Sequence, residues 1–187
     1  MTHLYSIGHG SRSAETFVSL LNSFKIEHLA DIRSYPSSKR NPQFRRADLQ
    51  ATLENESISY IWLPDLGGFR KNGLGSNSPH TALSSPGLRN YADHMATGSF
   101  RTAVIRLCRL AEAGPTCFMC AETLPQKCHR LLLSDYLLIN GFKVVHILDK
   151  NDTRVHQLSQ LATVDGSALT YNRSEMQQLE LKPSCST

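Results

Sequence analysis

Short apolar runs alternate along this chain with segments whose apolar side chains recur every three to four positions. The first run, residues 3–7 (HLYSI), reads as a strand ending at Gly8. Over residues 13–24, Phe17, Leu20, Leu21 and Phe24 share one helical face, and Ser13 is placed to cap it. The same alternation predicts strands over 28–32, 58–62, 116–120 and 143–148. It predicts helices over 47–56, 88–96, 99–113 and 128–140, the last closed by Asn140-Gly141. Residues 33–46 and 64–86 hold the Pro, Gly, Ser and Asn of loops. No repeat or low-complexity block interrupts the series.

The order β-α-β-α-β-α-α-β-α-β predicts an α/β fold. It is a single-domain, mostly parallel sheet of about five strands with helices on both faces. Parallel crossovers share one hand, so every strand-to-helix loop emerges at the carboxyl edge of the sheet. Ligands bind at that edge in such folds. The loops there begin at Gly8, Arg33, Leu63 and Ala121. The α/β pattern covers residues 1–150. Residues 151–187 read as a C-terminal extension, partly flexible, and polar and aperiodic from 165 onward.

Composition narrows the class. The chain has 187 residues, 40% of them hydrophobic and 19% charged, which fits one globular domain rather than a disordered chain. No apolar run approaches the ~20 residues of a membrane span. The start, MTHLYSIGHGSRS, lacks the basic-then-apolar order of a secretory signal. The expectation is a cytoplasmic protein with reduced thiols and no membrane partner. The net charge is +4. It is local: the stretch from Arg33 to Arg46 holds Arg33, Lys39, Arg40, Arg45 and Arg46 and no acid. An anionic partner would approach over that loop.

Four segments carry chemistry. In Ser6–Arg12 (SIGHGSR) two glycines flank His9 just before a helix whose free N–H groups suit an anion. Ser13 stands where a dinucleotide fingerprint needs its third glycine. His9 reads as functional or as a half-exposed turn residue. In residues 31–46, Asp31 ends an apolar strand and needs a partner, and Arg33 lies on the same side of the extended chain. Tyr35 and Phe44 are interleaved with the basic residues, as on a surface that stacks bases, or the stretch is a solvated basic loop. In LPDLGGFRKNG, Gly67-Gly68 either brings backbone N–H groups to a ligand or makes a plain turn.

The fourth segment is CFMCAETLPQKCHR, residues 117–130. Cys117, Cys120, Cys128 and His129 could bind zinc: Cys117-x-x-Cys120 has ligand-like spacing, but the second ligand pair usual in structural sites is missing. Residues three apart on a strand point to opposite faces, which separates Cys117 from Cys120. In a second reading, Cys120 ends a strand, Glu122 follows on the same side, and Cys128-His129-Arg130 opens a helix. A helix start lowers a thiol pKa, and Arg130 can clamp a carboxylate or phosphate. In a third, the cysteines are small buried hydrophobes, which is the reading taken for Cys117 and Cys108.

Together these segments resemble the domain-of-unknown-function family 488 over residues 3–150. The resemblance rests on SIGHGSRSAETF, DIRSYPSSKRNPQF, LPDLGG, LRNYADHM, MCAETLPQKCHR and GFKVVHI. It implies an α/β domain with its site built from these loops and brings no established reaction. A fainter likeness links the chain to rhodaneses and cysteine phosphatases, through Asp-x-Arg after an early strand and a late strand–Cys–loop–Arg–helix unit. The departure lies in spacing. Those enzymes use a tighter loop than Cys120 to Arg130, and Cys128 to Arg130 is too short.

The expected function is an enzyme, a hydrolase or transferase, acting on an anionic, nucleotide-like or nucleic-acid substrate. Asp31, Glu122, His9 and Cys120 are the catalytic candidates. Arg33, Arg40, His129, Arg130, Gly67 and Gly68 are the substrate-binding candidates. This reading needs no cofactor and no metal. The alternatives are a nucleic-acid-binding module without catalysis and a Cys/His metal-binding protein.

Overall fold

A computed structural model describes residues 3–166 and 168–172. The alternation read from the sequence is present. Strands β1 (His3–Gly8), β2 (His28–Asp31), β3 (Ser59–Trp62), β4 (Thr116–Cys120) and β5 (Lys143–Asp149) alternate with helices. The helices are α1 (Ala14–Ser23), α2 (Arg46–Glu54), α3 (Pro86–Met95), α4 (Gly98–Ala113) and α5 (Arg130–Ile139). Local chemistry starts several of them. Ser13 accepts from the Thr16 N–H, and Thr97 from the Phe100 N–H. Ser85 caps α3, where Pro86 takes the first helical position. Helix α5 starts later than expected, because Pro125–Lys127 form a separate 3-10 turn.

The sheet order is β3-β2-β4-β1-β5-β6, with the first five strands parallel. From β1 through β2 to β3 the chain moves toward one edge, with α1 and α2 on one face. From β3 through β4 to β5 it returns, with α3, α4 and α5 on the other, as a single crossover hand requires. The cores match. Phe17, Leu21, Leu49 and Leu53 pack with Ile7, Leu29, Cys117 and Met119. Tyr91, Phe100, Leu107 and Leu132 pack with Leu4, Ala30, Phe118 and Cys120. The chain leaves β4 toward one face, while both neighbours, β1 and β2, leave toward the other. A crevice therefore opens above the carboxyl end of β4, at Cys120.

The extension departs from expectation. Strand β6 (Asp152–Val155) adds antiparallel to β5 as a sixth strand, and β7 (Thr163–Asp165) pairs with β8 (Ala168–Thr170). Strands β6 and β7 are exposed throughout and all three pieces are three or four residues long, so they lack the periodicity that marks a strand. The stretch is nevertheless anchored. His156 Nε2 lies 2.8 Å from Asp135 on α5, and the buried Tyr171 donates its hydroxyl to the same carboxylate at 2.9 Å. The described residues beyond 150, 151–166 and 168–172, thus pack onto the domain. The rest of the expected flexible extension, 173–187, lies outside the described residues. No helix among the described residues is long and apolar enough to cross a membrane.

Candidate functional site

Asp31 and Arg33 meet as their spacing predicts, but they hold each other rather than a ligand. The Arg33 guanidinium donates to both Asp31 oxygens, at 2.9 Å to Oδ1 and 2.6 Å to Oδ2. The Tyr60 hydroxyl donates to Oδ2 at 2.6 Å, and the Arg33 backbone N–H to Oδ1 at 3.0 Å. Asp31 is fully buried and borders neither cavity of the site described below. Its acceptors are spent on its partners, so its role is to hold Arg33. Arg33 also donates Nη1 to the Phe44 carbonyl at 2.8 Å, which ties the basic loop to the sheet. Trp62 Nε1 donates to the Arg33 carbonyl, and the Arg46 guanidinium stacks 4.6 Å from the Trp62 ring.

His9 is buried, not half-exposed: its ring stacks on Phe44 at 4.2 Å. Nδ1 lies 2.8 Å from the Gly10 carbonyl, which makes it the protonated nitrogen and leaves Nε2 to accept from Arg33 Nη1 at 3.4 Å. Burial, with Arg33 nearby, lowers its pKa to about 4. His9 is a neutral wall of the site.

The late loop is bound to the first. The His9 N–H donates to the Cys120 carbonyl and the Gly10 N–H to the Ala121 carbonyl, extending the β1–β4 ladder past the strands. A Cβ on Gly8 would overlap the Glu122 backbone, so only glycine allows this approach. Over this zipper sit two thiols. Cys120 Sγ and Cys128 Sγ are 3.4 Å apart. Both the backbone N–H and Nε of Arg130 lie 3.4 Å from Cys128 Sγ. Cys117 faces the opposite core, as the strand geometry predicts.

Arg130 is fully buried. Among the described residues no carboxylate forms an ion pair with it. Its donors go to Ser6 Oγ at 3.2 Å, to the Thr123 carbonyl at 3.0 Å, to the Glu122 carbonyl and to Cys128. It is therefore not free to clamp a ligand. A buried cation favours an anion beside it, and the Cys128 sulfur is the group that Arg130 meets there. The Cys120 thiol donating to Cys128 lowers the Cys128 pKa to about 6 against the opposing effect of burial, with Arg130 adding to the lowering. Cys120 moves the other way, well above the ordinary thiol range, through that shared hydrogen bond and burial. The two shifts run in opposite directions, with Cys128 the thiol favoured to lose its proton.

Two adjoining cavities form the groove. One, of about 580 Å³, is bordered by Cys120, Cys128, His129 and Gly68, with the exposed Tyr35 and Phe69 at its mouth. The other, of about 660 Å³, is bordered by His9, Lys39, Arg40 and Arg45. Arg33, Tyr35, Ala121 and Glu122 border both. Glu122 is exposed, with Oε1 accepting from the Thr123 N–H at 3.0 Å. His129 packs under Gly68, where a Cβ would strike its ring, and its Nε2 lies 3.3 Å from the Ile32 carbonyl. Burial lowers its pKa to about 4. Gly67 lies as closely against Ser34. The glycine pair thus serves close packing at the groove wall. Among the described residues no group of three or more His, Cys, Asp or Glu side chains is arranged to hold a metal.

The structure thus brings His9, Arg33, Arg40, Cys120, Glu122, His129 and Gly68 to one groove and puts Asp31, Arg130 and Gly67 behind it. Cys128, which also borders the groove, is not among the sequence candidates, and its thiol beside a helix start is the signal for it. Tyr60 and Ser6, which complete the ion-pair and Arg130 networks, carry no signal of their own.

Among known proteins, the sequence model of the family described as Domain of unknown function DUF488 matches residues 13–137. No curated protein and no solved structure matches.

Proposed function

The chain belongs to the DUF488 family, whose description names no reaction, and we propose from its site that it is an enzyme that attacks an anionic substrate with the Cys128 thiolate. The observation that carries this is the position of Cys128 Sγ. It borders a cavity of about 580 Å³ while held between the Cys120 thiol and Arg130. A thiolate stabilised this way is a nucleophile at neutral pH. The reaction class is group transfer or hydrolysis through a covalent thiol intermediate. Lys39, Arg40 and Arg45, on the adjoining cavity, supply the charge that draws in an anion. Glu122, bordering both cavities, is the acid/base group. Asp31 and Arg130 act as supports. A reduced thiol pair fits the cytoplasm.

The test is turnover on a panel of phosphate- and carboxylate-bearing esters and thioesters. Cys128→Ser should reduce any activity found by on the order of 10³-fold or more. Full activity in that variant would remove Cys128 from the mechanism.

A second reading is single-stranded nucleic-acid binding. It is favoured by the exposed Tyr35 beside Lys39, Arg40 and Arg45. Fluorescence anisotropy with labelled oligonucleotides should show binding that weakens steeply with salt. No binding at low salt would end it.

A further inference from the structure

We infer that Cys120 and Cys128 form a two-cysteine redox pair that reduces hydroperoxides, Cys128 attacking and Cys120 resolving. The inference rests on the reading of Cys128 as the reactive thiolate and adds a second role for the thiol beside it.

The geometry supports this division of labour. The two sulfurs are 3.4 Å apart, in direct contact. Only Cys128 has Arg130 at its sulfur through both the backbone N–H and Nε. Cys128 is also the more exposed of the two, at 9% against 2% for Cys120. Cys120 is held at the end of a fully buried strand, whereas Cys128 ends a short 3-10 turn just before α5. Both sulfurs border the cavity, and the attacking thiol is the more exposed of the two. Filling space does not account for a second thiol here, since any small apolar side chain would pack. Cys117 faces the opposite core and cannot take the place of Cys120.

The chemistry balances in two steps. The Cys128 thiolate attacks one peroxide oxygen. An S–O bond forms, the O–O bond breaks, and the leaving oxygen takes a proton to depart as water or an alcohol. Cys128 is then a sulfenic acid. The Cys120 sulfur next attacks the Cys128 sulfur. An S–S bond forms, the S–O bond breaks, and the hydroxyl leaves as water with the Cys120 proton. The hydroperoxide has gained two electrons and the two thiols have lost them. A small thiol reductant restores the pair by exchange. While the disulfide stands, the thiolate needed for the proposed reaction is absent.

The test uses the full chain, fully reduced, with one equivalent of hydrogen peroxide, then alkylation and peptide mapping by mass spectrometry. The expected product is a Cys120–Cys128 cross-link that dithiothreitol reverses, with Cys108 and Cys117 still free. Cys120→Ala should accumulate a dimedone-reactive sulfenic acid on Cys128. The proposal is overturned if wild-type Cys128 is unchanged, is carried on to the sulfinic acid, or is linked to another cysteine. The mapping needs no substrate. A cross-link without any ester turnover therefore counts against the proposed reaction alone, and turnover without a cross-link counts against the redox pair alone.

Discussion

Arg130 reaches back over its own helix start to Cys128, and its backbone N–H and Nε both lie 3.4 Å from the sulfur. A buried guanidinium and a buried thiol are each unfavourable alone, and together they stabilise a charge pair at the cavity wall. Held by the Cys120 thiol and by Arg130, Cys128 should react with iodoacetamide with a midpoint below that of an ordinary thiol. Arg130→Met should move that midpoint up. It should also cost on the order of 3–5 kcal/mol of stability, because the Glu122 and Thr123 carbonyls lose their donor. An unchanged labelling midpoint in the variant would show that Arg130 does not set the charge on Cys128.

Asp31 and Glu122, both catalytic candidates in sequence, separate by burial. Asp31→Asn removes the partner of a buried arginine and should cost about 3–5 kcal/mol in urea unfolding. Glu122 is exposed, and Glu122→Gln should change stability by no more than about 0.5 kcal/mol while lowering turnover on any substrate found. Equal destabilisation by the two substitutions would contradict this division.

What could be read from the sequence follows distance along the chain. The Asp31–Arg33 pair was legible because residues two apart on an extended chain face the same way. The separation of Cys117 from Cys120 was legible for the related reason that odd spacings face opposite ways. Arg130 was read as a ligand clamp because its partners come from elsewhere: Ser6 lies on β1, and the Glu122 and Thr123 carbonyls belong to the loop. No local pattern announces such contacts. His9 was left between functional and half-exposed because the ring that covers it, Phe44, sits on a different loop. Strand β6 was missed because all four of its residues are exposed, which erases the alternation.

Three histidines should make the fold sensitive to acid. Burial lowers the pKa of His9 and His129 to about 4 and of His146 to about 3, against 6.5 for the free side chain. Between those values the unfolded chain binds more protons than the folded one. Stability is therefore complete above about pH 6.5 and is lost as the pH falls toward 4. Each histidine contributes a slope of up to about 1.4 kcal/mol per pH unit in that window. Urea unfolding across this range should show the decline, and His9→Gln should flatten it. A midpoint constant from neutrality to about pH 5 would refute the assignment.

The basic loop should govern how anions arrive. Arg40 and Arg45 border the second cavity and are exposed, so replacing them leaves the core untouched. Arg40→Ala with Arg45→Ala should keep stability within about 0.5 kcal/mol. The same variant should weaken binding of inorganic phosphate or a nucleotide and reduce the dependence of that binding on salt. Isothermal titration at two ionic strengths gives both quantities. Unaltered affinity and salt dependence would place the anion elsewhere.

The extension, which looks dispensable in sequence, should stabilise the domain. Asp135 is fully buried on α5, and all its described partners lie beyond residue 150. His156 and the Ser159 N–H meet Oδ1, and the Tyr171 hydroxyl meets Oδ2. The chain of contacts runs on through His146, 3.1 Å from His156, to Ser6, 2.9 Å from His146. Ser6 in turn receives Arg130. Cutting the protein after residue 150 strips every one of these partners from a buried carboxylate. The truncated chain should lose on the order of 3–5 kcal/mol and unfold at clearly lower urea. Tyr171→Phe removes one hydrogen bond and should cost only about 1–2 kcal/mol. Because the network ends on Arg130, Asp135→Ala should also alter the Cys128 labelling midpoint, though Asp135 touches neither sulfur. If truncation leaves stability and labelling unchanged, the extension is an appendage after all, and the network does not couple it to the site.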